Sequence, residues 1–168
     1  MRPKEGTYAL YFEHYIDLVE HNNVKEALQA NTEELFDFID SLPENKGDFA
    51  YAEGKWSLKE VLLHLTDAER IFSYRALRFS RNDTTPLPSF DENEFIENAK
   101  TSKRTLQSLV DEFKSVRNST LSLFNAMDEE ELTRQGISSS QPCTALALGY
   151  IIAGHAKHHK NVITDCYL

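Results

Sequence analysis

The sequence predicts an all-α fold, most simply a four-helix bundle. Three observations carry this. Apolar residues recur three or four apart over long stretches, the 3.6-residue signature of amphipathic helices. Those stretches begin with helix-start chemistry, such as Ser57-Leu58-Lys59-Glu60. Strand alternation is nearly absent, and only 6 Gly and 5 Pro in 168 residues argue against a loop-rich β protein. The length suits one domain spanning residues 1–168.

Tyr8 to Val19 is aromatic-rich and reads as a short helix or an extended cover, broken by Asn22-Asn23. Asn23 with Glu26 has capping-box spacing. Val24, Leu28, Asn31, Leu35, Ile39 and Leu42 then form the stripe of a first long helix, closed by Pro43 and Gly47. The second long helix opens at Ser57. Its stripe is Leu58, Val61, Leu62, Leu65, Phe72, Ala76 and Phe79, and Arg81-Asn82-Asp83 ends it. Thr84 to Ser89 holds two prolines and reads as a loop. A third long helix is expected from about Asp91 to Met127, with Phe95, Leu106, Leu109, Val110, Phe113, Val116, Thr120, Leu123, Phe124 and Met127 on its apolar face. Asp128 to Gln135 reads as a short extra helix stopped by Gly136, and Ser138 to Pro142 as a loop. A fourth long helix runs from about Thr144 to the chain end. Amphipathic helices of this kind bury their stripes against one another, but the connections are not all short, so their order around the bundle stays open.

Eighteen basic against 27 acidic residues give a net charge of −9. That sign opposes phosphate binding, so neither nucleic acid nor an anionic membrane is an expected partner. No apolar run approaches the roughly 18–20 residues of a membrane helix, and the first residues lack a signal-peptide stretch. Cys143 and Cys166 are too few for a disulfide scaffold and suit a reducing cytoplasm.

Three of the six histidines fall within five residues. On a helical wheel at about 100° per residue, with His155 at zero, His159 lies at about 40° and His158 at about −60°. Leu148, Ile151, Ile152, Val162 and Ile163 surround the first two, so His155 and His159 sit inside the apolar stripe and His158 at its edge. Buried imidazoles need partners. Hydrogen bonds across the bundle are one solution. Convergence of an i, i+4 pair on a metal is another. His64, on the flank of the second helix's buried face, could supply a third ligand. Three protein ligands leave a coordination position open, the pattern of a catalytic site.

The stretch Gly54-Lys55-Trp56-Ser57-Leu58-Lys59-Glu60-Val61-Leu62-Leu63-His64-Leu65-Thr66-Asp67-Ala68-Glu69-Arg70 resembles the second-helix signature of the DinB/YfiT-like superfamily. Gly154-His155-Ala156-Lys157-His158-His159 resembles its last-helix signature, and Thr85 to Asp91 resembles a loop of one subgroup. The resemblance implies a four-helix bundle with a divalent metal on three histidines, matching His64, His155 and His159. It also implies homodimers and stress-associated roles. Among its implied activities is transfer of low-molecular-weight thiols such as bacillithiol or mycothiol, so a thiol cosubstrate is expected beside the small-molecule substrate. Three imidazoles suit zinc, nickel, iron or manganese. A hydrolase using the same site, and a non-catalytic metal- or ligand-binding protein, are the competing readings.

Other residues carry weaker expectations. Asp67, one turn from His64, is a candidate to orient an imidazole or a metal ligand. Arg75 is expected to pair with a carboxylate between helices in preference to binding substrate, and Trp56 to pack as an N-terminal staple. His14 and His21 read as surface residues. Cys143, at the start of the fourth helix, is a candidate nucleophile because a thiol pKa can fall there. Proton competition for free imidazoles places the loss of metal affinity near pH ~6.5.

Overall fold

Side-chain oxygens start each long helix, and the computed structural model describes all of residues 1–168. A 3₁₀ turn at Leu10–Phe12 leads into α1 (Glu13–Asp17). Asn23 accepts from the backbone N–H groups of Lys25 and Glu26 and opens α2 (Val24–Asp40). Ser57 and Glu60 form the reciprocal capping box of α3 (Leu58–Ser80). Asp91 caps α4 (Glu92–Asn98), and Thr105 caps α5 (Leu106–Ala126). A second capping box, Asp128 with Glu131, starts α6 (Glu129–Thr133). A β-hairpin follows, β1 (Gln135–Ser138) with β2 (Gln141–Thr144), and Thr144 then caps α7 (Ala145–Cys166). No helix is long and apolar enough to cross a membrane.

The long helices α2, α3, α5 and α7 form a four-helix bundle. Both α2 and α3 pack against α5 and α7. The two helices first in sequence therefore face each other across a diagonal, which the long connections between helices permit. In a simple up-down bundle consecutive helices are neighbours.

Two features depart from the sequence reading. The helix expected from Asp91 to Met127 is two helices, α4 and α5, separated by a 3₁₀ turn at Thr101–Lys103. No apolar residue stands between Ala99 and Leu106 to hold a continuous helix on the core. The start of α5 is instead capped twice, by the Thr105 hydroxyl and by Glu44, whose carboxylate accepts from Leu106 and Gln107. The segment expected to be a loop at Ser138 to Pro142 is the turn and flank of the hairpin. Its two central residues, Ser139 and Ser140, have φ of 52° and 65°. A two-residue turn needs that left-handed geometry, but usually with Asn or Gly in place. Leu87 adds a bridge to Ser138, fastening the proline loop to the hairpin.

A polar layer divides the apolar core into two clusters. One gathers around Leu28, Phe72, Phe124 and Ile152, the other around Leu35, Leu62, Phe113 and Ala156. Between them Arg117 of α5 is fully buried. It donates twice to the Glu69 carboxylate of α3, at 2.7 Å each, and to Asn31 and Thr32 of α2 at 2.7 and 3.2 Å. The sequence reading missed this pair. The signal was the helical spacing: Glu69 lies between Leu65 and Phe72 on the stripe of α3, and Arg117 between Phe113 and Thr120 on that of α5.

Removing one partner of a buried, hydrogen-bonded ion pair strands the other charge. Arg117→Met is therefore expected to cost about 3–5 kcal/mol of unfolding free energy in urea denaturation. The Arg117→Met, Glu69→Leu double variant is expected to recover much of that loss.

Candidate metal centre

The middle of α7 is buried on nearly every side from Ala145 to Ala156, because α1, α2 and α3 all pack on it. That burial places His155 (6% exposed) in the central layer, with His159 one turn further along. His64 on α3 meets them. Nε2 of His155 stands 3.0 Å from Nε2 of His64 and 3.1 Å from Nε2 of His159, and one nitrogen of each ring lies within 4.8 Å of the others.

A neutral imidazole nitrogen carries either one N–H or one lone pair. His155 Nε2 can therefore satisfy one of its two close contacts with a linear hydrogen bond, not both. A cation among the three nitrogens accepts all three lone pairs, and bonds of about 2.0–2.1 Å suit nitrogens held this close. The donor set thus fits a divalent ion. Nδ1 of His159 is buried without a hydrogen-bond partner, so packing, including the nearby His64 and His158 rings, orients that ring.

Electrostatics keep the three rings neutral. Burial lowers His64 from 6.5 to about 4, and His159 to about 3. His155 is driven well below 6.5, first by burial and then by its neighbouring histidines and Arg117. Arg117 adds little net charge to the layer because Glu69 neutralises it.

Aromatic rings wall the cluster. Trp56 lies 4.9 Å from the His64 ring, so it borders the site as well as packing on the core cluster around Leu35 and Leu62. Tyr15 and Phe72 meet His155 edge-on at 5.2 and 5.9 Å. Tyr15 reaches this position because residue 154 is glycine. A Cβ there would lie 1.9 Å from the Tyr15 carbonyl oxygen. Two cavities with no lining residue in common reach the cluster. One, of about 170 Å³, is lined by His64, His155, Phe12, Phe72, Phe90 and Arg75, among others. The other, of about 350 Å³, reaches His159 past Trp56, Tyr51 and Tyr167.

The remaining candidates are placed elsewhere. Asp67 is half-buried and faces Arg70 at 3.5 Å, making no hydrogen bond to the three histidines. His158 lies outside the cluster, against Tyr15 and His14. His14 and His21 are exposed. Arg75 does not pair with a carboxylate as expected; it donates to the Pro88 carbonyl and Ser139 Oγ. Cys143 lies in β2, not on the helix, and burial pushes its thiol up to about 12, the reverse of what a nucleophile requires. Cys166 is an exposed free thiol.

A sequence profile of the DinB superfamily matches residues 27–163. This chain belongs to the DinB superfamily. No curated protein matches its sequence. Solved structures, among them the following two, share the DinB chain's fold. YfiT from Bacillus subtilis, described as a probable metal-dependent hydrolase with an unusual four-helix bundle topology, aligns with a TM-score of 0.75 at 15% identity. The alignment covers 99% of this chain and 91% of YfiT. A protein from Streptococcus pneumoniae aligns with a TM-score of 0.63 at 17% identity, over 94% of this chain and 99% of that one. At such identities the likeness is one of fold.

Two outcomes are expected from this geometry. A base whose folded-state pKa lies below its unfolded value adds stability in full above the unfolded value, here 6.5, and loses it as pH falls toward the folded values of about 4 and 3. Chelated DinB chain should therefore melt at progressively lower temperature below about pH 6.5. Burial also moves proton competition below the pH near 6.5 expected for free imidazoles. Metal content after dialysis should hold at about pH 5.5 and fall toward pH 4. Separately, Gly154→Ala should displace α1 and cost about 1–3 kcal/mol, with altered near-UV circular dichroism from Tyr15.

Proposed function

We propose that this chain is a metal-dependent enzyme acting on a small molecule, with His64, His155 and His159 as the protein ligands of a divalent ion. The convergence of three neutral Nε2 atoms in the central layer supports that ligand set. A divalent ion there would supply the positive charge that keeps a thiol deprotonated near neutral pH or polarises a water molecule. The chain's own residues do the rest. Trp56, Tyr15 and Phe72 limit the access of water to the histidines, and the lowered dielectric leaves charge–charge attraction less screened.

Transfer of a low-molecular-weight thiol to a small electrophile is the reading we favour, and one observation carries it. Two separate cavities converge on the histidines, one past His64 and His155 and one past His159. A two-substrate reaction uses both: thiol from one side, electrophile from the other. In that step the thiol gives up its proton and the thiolate sulfur forms a bond to carbon. The bond from carbon to its leaving atom breaks and that atom keeps the electron pair: chloride departs as the anion, while the oxygen of an opened epoxide takes up a proton equivalent to the one the thiol lost. A thiolate needs no general base, consistent with a cluster to which no carboxylate is hydrogen-bonded. Hydrolysis is the second reading. Glu92, at the exposed start of α4, lines the first cavity and could take a proton from water. YfiT, one of the similar structures, is described as a probable metal-dependent hydrolase.

Single alanine variants at His64, His155 and His159 should each lose most bound metal by elemental analysis, while His158→Ala keeps it. Metal-loaded wild type should conjugate bacillithiol, mycothiol, glutathione or cysteine to a chloro-aromatic or epoxide electrophile. Chelated protein and His155→Ala should stay at background. Metal-dependent cleavage of an ester or amide, with every thiol at background, would replace transfer with hydrolysis. Stoichiometric metal with neither reaction would leave a binding protein.

A further inference from the structure

We propose that Arg75 anchors a carboxylate of the substrate in the cavity beside His64 and His155. This deepens the reading above and rests on that cavity being the substrate site.

His64, Ala68, Phe72 and Arg75 all line this cavity. They succeed one another at helical spacing on α3, so the cavity runs along that helix. At 1.5 Å per residue, the Cα atoms of His64 and Arg75 are about 16 Å apart along the axis. The histidines mark one end and Arg75 the other. Between them the wall is apolar, made of Phe12, Ala68, Phe72 and Phe90.

Arg75 is 4% exposed, yet it forms no ion pair. Its Nη2 donates to the Pro88 carbonyl at 2.6 Å and weakly to Ser139 Oγ at 3.4 Å. Nε and Nη1 donate to no protein atom, neither is fully buried, and Arg75 is among the residues that line the cavity. A guanidinium does not lose its proton in a protein, so its charge persists in this setting. Phe90, also a cavity wall, lies 5.8 Å from it and offers a ring face but no anion. The Cys143 thiol bears on its charge, but burial holds that thiol neutral. Glu92 borders the cavity too, but stands exposed at the start of α4. Every other buried arginine charge in the fold is matched: Arg117 has Glu69.

A carboxylate supplies what is missing. Its two oxygens match the planar fork of a guanidinium, and charge-assisted bonds of that kind are the strong ones. Ser89 and Ser139 line the same cavity, and their side chains are donor types. The ligand class that fits is a small acid with an aromatic or apolar middle and its reactive group at the end away from the carboxylate.

The alternative is that Arg75 only pins the Pro88 loop and the hairpin to α3. Comparing an acid with its neutral isostere separates the two. The probes are 4-phenylbutyrate and 4-phenylbutyramide, titrated calorimetrically into metal-loaded and chelated full-length protein. In wild type the acid should bind about tenfold or more tighter than the amide, with or without metal. Arg75→Met should abolish that preference, and Arg75→Lys should keep part of it. A structural pin would weaken acid and amide equally and leave their ratio unchanged, which overturns the proposal. A preference that vanishes on chelation but survives in Arg75→Met places the carboxylate on the metal and also overturns it. No detectable acid binding to wild type does the same. If neither variant folds, a crystal of wild type soaked with 4-phenylbutyrate decides, by whether the carboxylate lies within hydrogen-bond distance of Arg75. Failure of metal binding itself is read separately by elemental analysis and leaves the preference in chelated protein intact.

Discussion

Inside a helical bundle an unpaired charge is costly enough to dictate its surroundings, and Arg117 sits fully buried at the centre of this one. Its guanidinium is satisfied only if α5 faces Glu69 on α3 and Asn31 and Thr32 on α2 at once. Those contacts tie together three helices at one height, including the two that face each other across the diagonal. They also set the charge of the layer. With Glu69 beside it, Arg117 leaves the neighbouring histidines in nearly neutral surroundings, where otherwise a free positive charge would oppose a divalent cation.

The same layer explains why the histidines can act as ligands. Burial keeps them neutral, and their helices hold the three Nε2 atoms together. The apolar clusters on either side hold those helices still. α1 closes one side of the layer because Gly154 lets the Tyr15 backbone approach α7 without a Cβ between them. The hairpin and the Pro88 loop close the far end of the first cavity, each fastened to the other and to Arg75. The histidine end of the cavity and its Arg75 end are thus bordered by different parts of the chain, joined through the continuous helix α3.

Much of this was legible in the residues. Ser57 with Glu60, Asn23, and the apolar stripes on α2, α3 and α7 announced those helices, since capping and periodicity are local. The inward placement of His155 and His159 followed from the wheel alone, and His64 fell on the correct flank. The break between α4 and α5 was harder to see. Part of its cap is Glu44, 62 residues from Leu106, and no local pattern predicts that partner. The Ser139-Ser140 turn lacked the usual Asn-Gly signal, because its left-handed backbone is held by strand pairing and by Leu87. Glu69 and Arg117 lay on apolar stripes but belonged to residue types that normally face water.

By itself the sequence determined what each helix would bury: a charge or imidazole on an apolar stripe goes inward, because the stripe cannot turn outward without exposing its neighbours. It also carried the DinB likeness through its two histidine-bearing segments. Tertiary structure alone decided which inward groups meet. Glu69 found Arg117, not a histidine. Asp67 turned to Arg70, and Cys143 was sealed in a strand. Arg75 was left lining a cavity without forming an ion pair. Partner choice among buried polar groups depends on the order of helices around the bundle and on their relative heights. Both follow from long-range packing and long connections, and neither is encoded in a local period of 3.6 residues.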